Sequence, residues 1–417
     1  MEKILGIITE YNPFHNGHLY HLKESKKQTN CQYSICVMSG NFTQRGSTSI
    51  IDKWSKAKMA IQNGVDLVIE LPTLYAISSA ENFAYGAIKV LDSLNIVTDI
   101  SFGTESNNIN LLDNISHLLL TEPEEFKALL NEELGKGVSF PKAREIACTK
   151  YLQKNSAENI SLYNNILSSP NNILGIEYLK ALKKLNSKIT PHIINRIESD
   201  HNSIDIKNNI VSSSAIRNII SKNQNLEILK NLMPENSYNI LMENFKSGHI
   251  VPDISGFEKE IIYSLRQMST QDISKLADVK EGLEYKIKDA ANSCNNLDTF
   301  FDIVKSKRFT HTRLQRILLY SLLNITKEDM LLSKKITPYI HVLGLNSNGR
   351  NLLSQISKTN PELRIITSVK KFENTCTDLN LKHILEKDIL ATNIYTLAYT
   401  KNSFANLDYT THLINIY

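Results

Sequence analysis

The sequence predicts an α/β fold, in which a parallel sheet with crossover helices fills the first half of the chain and helices dominate the second half. Short β-branched runs alternate with helical segments from residue 4 to about residue 194. Long helical patterns replace this alternation from about residue 222. One further strand, followed by a turn, is indicated at residues 339–350. Strands that alternate with helices form parallel sheets joined by right-handed crossovers.

The first strand and the first helix are separated by a sharp turn. Residues 4–8 form an apolar run of the kind that makes a buried parallel strand. Asn12 and Pro13 interrupt this run, because proline fixes φ and has no N–H group. The next helix is predicted to begin near Leu19 and to end near residue 29.

The rest of the first half continues the alternation. Asp52 is typical of a helix N-cap and Gly64 of a helix end, which predicts a helix over residues 53–63. Residues 106–165 are predicted to be mostly helical. The other predicted strands cover residues 33–37, 65–69, 98–102 and 189–194, and further helices are predicted over residues 80–94 and from about residue 170.

The second half is predicted to be mainly helical, with one small α/β element. Helices are predicted over residues 256–268, 282–291 and 313–323. Residues 339–345 and 363–367 are predicted strands, with a turn and a helix from about Leu352 between them. Gly349 and Arg350 suit a phosphate at a helix start, although turn formation explains Gly349 equally well. We therefore predict two domains, residues 1–221 and residues 222–417.

Length and composition are typical of an enzyme with more than one domain. A chain of 417 residues exceeds the roughly 250 to 300 residues that one core usually supports. No apolar run approaches the ~20 residues of a membrane span, and the amino terminus lacks a signal-peptide layout, so we expect a cytoplasmic protein without membrane contact. The five cysteines are scattered, which predicts free thiols and no structural zinc. The net charge of +4 does not by itself identify a partner.

The most informative segment runs from Glu10 to His18 and reads Glu-Tyr-Asn-Pro-Phe-His-Asn-Gly-His. It lies between a strand and a helix, so the free N–H groups at the helix start would face an anion. His15 and His18 would add two donors beside that anion, and Gly17 leaves room for a ligand to approach the backbone. Two surface histidines beside a turn are the simpler alternative. Neither a Gly-x-x-x-x-Gly-Lys loop nor a Gly-x-Gly-x-x-Gly turn is present.

Other candidate residues follow the strands of the first half, since ligands of parallel sheets bind beyond the carboxyl ends of the strands. Gly103 follows the fourth strand, and Arg196 with Ile197 follows the fifth, where an arginine can pair with phosphate. Asn172 lies at a helix start, where it either caps the helix or bonds a nucleotide. Arg45, in the loop after the second strand, is a candidate for contacting a nucleic-acid partner or closing the site. The alternative for Gly103 is a glycine that simply ends a strand, and the alternative for Arg45 and Arg196 is an ordinary exposed arginine.

Two later segments combine hydroxyl or basic groups with helix starts. Ser212, Ser213 and Ser214 precede Arg217 by about one turn, a pattern that can hold β- and γ-phosphates. Residues 305–316 carry five lysines and arginines and no acid. A nucleic-acid backbone could lie along this segment, but a solvated basic face is the alternative that the residues alone favour.

The His-x-Gly-His of residues 15–18 resembles the signature of the nucleotidyltransferase superfamily, whose members make or use an adenylate. Residues 10–18, 38–46, 66–72, 169–178 and 212–217 together resemble the bacterial tRNA(Met) cytidine acetate ligase family. The resemblance runs through the whole chain and is strongest over residues 1–220. It implies a Rossmann-like nucleotidyltransferase domain, followed by a mainly helical tRNA-binding domain with a small α/β element.

The family resemblance also implies the reaction and its site. Enzymes of this family use ATP to activate acetate as acetyl-adenylate and transfer the acetyl group to the wobble cytidine of elongator tRNA(Met). Mg²⁺ would neutralise the diphosphate, bound mainly through phosphates and water. The residues after Arg196, Glu198 to His201, depart from the glycine-containing loop of the family. The implied catalytic residues are His15 and His18, and the implied ATP site comprises Ile7, Ile8, Thr9, Glu10, Tyr11, Asn12, Pro13, Phe14, His15, Asn16, Gly17, His18, Leu19, Tyr20, Gly103, Asn172, Arg196 and Ile197.

Two alternative functions remain open at the level of sequence. A nucleotidyltransferase that adenylates a small phosphorylated metabolite would use the same two histidines, but its large second half would lack an obvious purpose. A non-catalytic RNA-binding protein that retains an ATP fold is the other alternative, and the intact His15, Gly17 and His18 argue against it. The sequence locates neither the acetate pocket nor an oligomer interface.

Overall fold

One sheet forms the centre of the molecule. The structure is a computed structural model and describes residues 2–155, 166–195, 210–222, 225–280 and 282–417. Arg196 and Ile197 therefore lie outside the described residues. Within the described ranges the strands are β1 (Ile4–Thr9), β2 (Tyr33–Ser39), β3 (Leu67–Leu71), β4 (Asp99–Thr104), β5 (Thr190–Asn195), β6 (Ile340–Leu345), β7 (Ile365–Ile366) and β8 (Ile414–Asn415).

The five strands of the first half are parallel, as predicted. Their order is β5-β4-β1-β2-β3, so β1 lies between β4 and β2. Ile7 of β1 lies opposite Cys36 of β2 and Ser101 of β4. Because these strands run in one direction, their carboxyl ends meet at one edge of the sheet, where the motif turn after β1 also lies.

The strands of the second half join the same sheet. β6 pairs antiparallel with β3, and β7 and β8 both pair parallel with β6. The predicted strand pair of the second half is confirmed, but its attachment to the first sheet was not predicted. All six residues of β6 are buried, so the strand needs neighbours on both sides, and it covers the edge that β3 would otherwise expose. The domain boundary at residue 221 stays a prediction.

Helices surround the sheet and build the second half. Those up to residue 195 are α1 (Asn16–Thr29), α2 (Lys53–Gln62), α3 (Thr73–Ala76), α4 (Ala80–Ser93), α5 (Ile109–Thr121), α6 (Glu124–Gly135), α7 (Phe140–Asn155) and α8 (Pro170–Lys184). Those after residue 210 are α9 (Ser213–Ser221), α10 (Glu235–Ser247), α11 (Glu258–Gln267), α12 (Thr270–Lys275), α13 (Leu283–Ser293), α14 (Leu297–Val304), α15 (His311–Leu323), α16 (Lys327–Lys335), α17 (Ser347–Thr359), α18 (Val369–Thr375), α19 (Leu379–Tyr395) and α20 (Leu407–Thr410).

Three apolar clusters form the core. Ile4 of β1 faces a cluster that includes α4, α5 and α8, whereas Leu5 faces a cluster that includes α2, α9 and α10. The two faces alternate along β1 because successive side chains of a strand point in opposite directions. The third cluster joins Phe42 and Leu74 of the first half to helices of the second half. None of the described helices is long and apolar enough to cross a membrane.

Most element boundaries match the predicted ones within two or three residues. Helix α17 begins at Ser347, about five residues before the predicted start, and α1 also begins early. Asp52 caps α2 as predicted, accepting from the N–H groups of Trp54 and Ser55 at 2.9 Å. Helix α1 begins at Asn16 instead of Leu19, so half of the His-x-Gly-His motif lies in its first turn. The five cysteines are unpaired, which confirms the prediction of free thiols.

Candidate active site

A cavity of about 350 Å³ opens at the carboxyl ends of β5, β4 and β1. It is bounded by the motif turn, the start of α1, the loop after β2, the starts of α8 and α9, and one side of α4. The residues that line it are Ile7, Ile8, Thr9, Glu10, Tyr11, Asn12, His15, Gly17, His18, Tyr20, His21, Thr43, Gln44, Arg45, Ser47, Phe83, Phe102, Gly103, Pro170, Asn171, Leu174, Tyr178, Ile194, Asn195, Ile210, Val211, Ser212, Ser213, Ser214 and Arg217.

The two motif histidines are held against each other at the start of α1. Their rings are stacked, with centroids 3.8 Å apart and planes 28° from parallel. The N–H of Gly17 donates to Nδ1 of His15 at 3.0 Å, and the N–H of His15 donates to Nδ1 of His18 at 3.3 Å. Together these bonds form a capping box in which histidines replace the usual Ser and Glu.

This cap also determines which ring nitrogen carries the proton. A backbone N–H can only donate, so Nδ1 of each histidine must act as the acceptor. In a neutral imidazole the other nitrogen then carries the hydrogen. His15 and His18 are therefore both Nε2–H donors, and Nε2 of His15 lies 3.0 Å from Oγ of Ser213.

The backbone of the motif turn is shaped around these rings. Tyr11 has a φ of +43°, in the left-handed region that residues other than glycine and asparagine rarely adopt. A Cβ on Gly17 would lie 2.9 Å from Cε1 of His15, so glycine is required for the ring to lie over it. The sequence predicted that Gly17 leaves room for a ligand. In the structure the missing side chain leaves room for the ring of His15. Gly17 also lines the cavity.

Helix α9 brings hydroxyl groups and a cation to the motif from about 200 residues away. Ser212 caps this helix through the N–H of Ala215 at 3.2 Å, so Ser213 and Ser214 occupy its first turn. Nη1 of Arg217 donates to the carbonyl oxygen of Asn12 at 2.8 Å, and Nη2 donates to Oγ of Ser214 at 3.2 Å. The predicted phosphate-binding segment thus lies beside His15.

The other predicted ATP residues divide into those that line the cavity and those that support it. Gly103 lines it, and so does Asn171. Oδ1 of Asn172 instead accepts from the N–H groups of Glu105 and Ser106, both at 3.0 Å, and fixes the turn after β4. A nucleotide contact for Asn172 stays a prediction. The predicted residues with no atom in the described cavity wall are Pro13, Phe14, Asn16, Leu19 and Asn172.

Lys56 is a buried lysine that the sequence predicted only as part of a helix. It ties the motif turn at Glu10 to the loop after β2. Nζ of Lys56 donates to the carbonyl oxygens of Glu10, Ser39 and Gly40 at 2.7 to 3.0 Å, and to Oγ of Ser49 at 2.8 Å. Burial lowers the pKa of Lys56 to about 8, although neighbouring carboxylates oppose this shift. No sequence pattern marks this lysine, because its acceptors come from three separate segments.

The loop after β2 was predicted to carry Arg45, and the structure adds Thr43, Gln44 and Ser47 to the cavity wall. The N–H of Gln44 donates to Oε1 of Glu10 at 2.7 Å, which ties the loop to the motif turn. Gly46 has a φ of +77°, and a Cβ there would lie 2.5 Å from the backbone nitrogen of Arg316. The loop therefore packs closely against α15.

A second group of charged side chains lies away from the cavity wall. Among the described residues, Glu70, His341 and Asp408 are the one trio of histidine and carboxylate groups close enough to hold a metal ion. The ammonium group of Lys53 occupies the space between the two carboxylates, 2.8 Å from Glu70 and 2.6 Å from Asp408. These carboxylates raise the pKa of Lys53 although burial lowers it, so the cluster is a buried ion-pair network.

Part of the basic segment of residues 305–316 makes contacts within the protein. Arg316 is buried and forms an ion pair with Asp278 at 3.0 Å. Nε and Nη2 of Arg313 donate to the carbonyl oxygen of Asp278 at 3.0 and 2.7 Å. These two arginines of the basic segment thus hold α15 against the turn at Asp278. Lys307 and Arg308 are exposed.

The fold and the site define a nucleotidyltransferase of the His-x-Gly-His class. The family model described as HIGH Nucleotidyl Transferase matches residues 2–409. Two crystal structures of Thermotoga maritima TmcAL are similar over 99% of both chains at 34% identity. The TM-score is 0.93 for the apo form and 0.91 for the form bound with alpha-thio ATP.

Relatives with curated names narrow this class to one family. The tRNA(Met) cytidine acetate ligase of Thermoanaerobacter sp. (strain X514) is 46% identical and covers 99% of this chain and 100% of its own length. The ligases of Acetivibrio thermocellus and Clostridium perfringens are 43% and 44% identical over 419 and 396 residues. The chain belongs to the tRNA(Met) cytidine acetate ligase family.

Proposed function

We propose that this protein uses ATP to activate acetate as acetyl-adenylate and then acetylates the wobble cytidine of elongator tRNA(Met). The products are N4-acetylcytidine in the tRNA, AMP and diphosphate. The observation that carries the proposal is the stacked pair of His15 and His18, both capped through Nδ1, at the start of α1 and beside α9. The names of full-length relatives supply the substrates. A cytoplasmic location stays a prediction.

The proposed ATP site extends along the carboxyl edge of the sheet. The base and ribose would lie near Gly103, Asn172, Arg196 and Ile197, and the phosphates near the start of α1. This arrangement is supported by the cavity, which extends from Gly103 to His18 and on to Ser213. It is also supported by two helix starts, those of α1 and α9, which offer backbone N–H groups to anions.

The first chemical step joins a carboxylate oxygen of acetate to the α-phosphorus of ATP and breaks the bond to the diphosphate. Negative charge then increases on the phosphoryl oxygens and on the leaving group. The Nε2–H groups of His15 and His18 are fixed by the capping box before ATP binds, so little reorganisation is needed to stabilise that charge. Loss of one such donor commonly lowers the rate about 10²-fold or more.

Mg²⁺ would shield the charge of the phosphates during this step, and the cavity fits an ion that is bound mainly by phosphate and water. Glu10 is the single carboxylate residue in the described cavity wall. One of its oxygens already accepts the N–H of Gln44, which leaves the other oxygen for a metal-bound water. The protein thus provides at most one carboxylate, and Mg²⁺ remains part of the proposal.

The second step transfers the acetyl group from the adenylate to the exocyclic amine of the cytidine. The amine nitrogen attacks the acetyl carbon, the bond from that carbon to the adenylate oxygen breaks, and AMP leaves with its phosphate. The amine loses a proton in the process. Holding the adenylate and the cytidine together supplies much of the acceleration of such a step.

The test is to incubate the purified protein with ATP, Mg²⁺, labelled acetate and bulk tRNA, and to digest the tRNA to nucleosides. Labelled acetylcytidine is expected without acetyl-CoA, and it should disappear in His15→Ala. A protein that forms no label, but consumes ATP when a phosphorylated metabolite is supplied, would instead be a small-molecule nucleotidyltransferase. Unchanged tRNA binding in His18→Ala, with acetylation lost, would exclude a non-catalytic RNA-binding role.

A further inference from the structure

Arg45 lies in the wall of the cavity. Its side chain is exposed, and none of the residues that the structure describes forms a hydrogen bond, an ion pair or a ring contact with it. Arg217, the other arginine of the described wall, is by contrast bonded to Asn12 and Ser214. The guanidinium of Arg45 therefore keeps all its donors available for a ligand, at a site where a ligand can reach them.

The backbone that carries Arg45 is held firmly. The N–H of Thr43 donates to Ser47 at 2.9 Å, and the N–H of Gly46 donates to Thr43 at 3.0 Å, so residues 43–47 form a closed turn. Gln44 is bonded to Glu10 through its N–H and to the carbonyl oxygen of Ser78 through its side chain. The turn therefore fixes the point on the backbone from which the Arg45 side chain extends, so no loop has to be ordered when a ligand binds.

The order of the strands places Arg45 on the side of β1 away from the proposed base site. Gly103 lies at the end of β4, on one side of β1, and the Arg45 loop follows β2, on the other side. Adjacent strands are about 4.8 Å apart, so these two regions are roughly 10 Å from each other. Phosphates bound at His15 and His18, after β1, would lie between them. Attack on the α-phosphorus is in line with the departing diphosphate. If the serines of α9 hold the diphosphate, the Arg45 side is left for the nucleophile.

The charges of this end of the cavity favour an anion. The described wall contains the guanidinium groups of Arg45 and Arg217 and one carboxylate, that of Glu10. Burial lowers the pKa of Arg217, and the charge of Glu10 opposes this shift. The positive charge of Arg45 also lowers the pKa of Arg217, so the two guanidinium groups are close enough to repel each other. A small carboxylate ligand would relieve the repulsion between the two arginines.

We propose that Arg45 binds the carboxylate of acetate and directs it towards the α-phosphorus of ATP. Arginine suits this role because its planar donors match the geometry of a carboxylate. The guanidinium bonds chiefly to the oxygen that does not attack, so the other oxygen keeps its lone pair for phosphorus. The new bond joins that oxygen to the α-phosphorus, and diphosphate departs with the electrons of the broken bond. No proton has to move, since acetate reacts as its anion.

The inference rests on the function proposed above, and its test separates the three substrates. Initial rates of tRNA acetylation are measured with Arg45→Gln while acetate, ATP and tRNA are varied in turn. Loss of a charged hydrogen bond to acetate should raise the KM for acetate about 10- to 100-fold. The KM values for ATP and tRNA should stay within about twofold of wild type. Arg45→Lys should give an intermediate KM for acetate, because lysine keeps the charge but not the planar donors.

A matched variant controls for the loss of one positive charge. Arg364 is also exposed in a loop, but it does not line the cavity, so Arg364→Gln should leave all three KM values unchanged. An acetate KM within about twofold of wild type in Arg45→Gln overturns the inference. A rise confined to ATP or to tRNA also overturns it and assigns Arg45 to that substrate. If the wild-type protein acetylates no cytidine, the proposed function fails instead.

Discussion

The two ring nitrogens of His15 have different roles, and this difference can be tested separately from folding. Nδ1 caps α1 through the N–H of Gly17, whereas Nε2–H faces Ser213 and the cavity. A variant that keeps an acceptor at the position of Nδ1 but lacks the Nε2–H would isolate the catalytic role. Asparagine is such a residue, since it is among the preferred N-caps and bonds the same backbone N–H groups.

His15→Asn is therefore expected to lower the rate of acetylation about 10²-fold or more while the midpoint of thermal unfolding changes little. His15→Ala should lose the same activity and, in addition, about 1 kcal/mol of stability because the cap is lost. Single-turnover acetylation and thermal unfolding of both variants provide the comparison. Substantial activity in His15→Asn would show that the histidine shapes the turn and does not act as a donor.

Gly17 offers a second test at the same scale. Alanine favours a helix over glycine by roughly 0.5 to 1 kcal/mol, so Gly17→Ala should not lower the stability of α1 by helix propensity. Its Cβ would, however, lie 2.9 Å from the His15 ring and push the ring aside. We expect at least a roughly tenfold loss of kcat, since small displacements of a preorganised donor are costly.

The control for this variant is Gly135→Ala at the end of α6. A Cβ at Gly135 meets no atom within 4 Å, so activity should be unchanged. Equal activities of the two variants in a steady-state acetylation assay would show that the position of the His15 ring does not matter.

At the scale of elements, Lys56 connects α2 to the ends of β1 and β2. It is fully buried and bonded to three carbonyl oxygens and one hydroxyl oxygen. Lys56→Met would fill the same space and leave these acceptors buried without a donor. Each such orphaned group costs about 1 to 3 kcal/mol, so we expect a loss of roughly 3 kcal/mol or more in the free energy of unfolding.

Chemical denaturation of Lys56→Met provides the measurement. Lys58 on the same helix is a matched control, because its side chain is 40% exposed and, among the described residues, its ion pair is with Glu243 at 3.9 Å. Lys58→Met should change the free energy of unfolding by less than about 1 kcal/mol. Similar losses of unfolding free energy in Lys56→Met and Lys58→Met would mean that the buried hydrogen bonds of Lys56 do not stabilise the protein.

At the scale of the whole molecule, a buried polar network joins the two halves of the chain. Oδ1 of Asp388 in α19 accepts the N–H of Thr73 at 2.6 Å, and its Oδ2 accepts the hydroxyl of Tyr339. Glu70 of β3 is bonded to His341 of β6 at 2.7 Å. Because these partners come from both halves, the second half contributes to the stability of the sheet that carries the site.

This network predicts a specific dependence of stability on pH. Burial, together with the nearby charge of Glu70, raises the pKa of Asp388 to about 7. A group whose pKa is raised on folding stabilises the folded protein below its unfolded pKa, and this contribution is lost as the pH rises through the folded pKa. Asp388 should therefore favour folding at pH 4 and progressively less so up to about pH 7.

The comparison with Asp388→Asn measures this contribution, because the amide keeps the shape but does not titrate. The stability of wild type minus that of Asp388→Asn should fall between about pH 4 and pH 8, by about 1.4 kcal/mol per unit of pKa displacement. Denaturation at several pH values tests this, and the titration of groups that do not interact with Asp388 cancels in the difference. A difference that stays constant or rises with pH would contradict the raised pKa.

The sequence predicted the local structure of several contiguous segments that lie at or near the cavity. The motif turn, the cap at Asp52 and the serines before Arg217 depend on local chemistry, and each was found where it was predicted. It missed Lys56, since a lysine next to a helix start is ordinarily exposed and only the tertiary fold buries it. Asn172 was recognised as a residue of a helix start, but not as the acceptor for the turn after β4.

The sequence by itself determined the order of strands and helices and the presence of two histidines at a helix start, because both follow from short-range patterns of apolar, polar and turn-forming residues. Only the tertiary structure decided that β6 extends the sheet beside β3, and that Ser213 meets His15 across 198 positions of the chain. Contacts of this kind depend on which surfaces remain to be buried once the local elements have formed. No local pattern encodes them, since their partners are far apart in the chain.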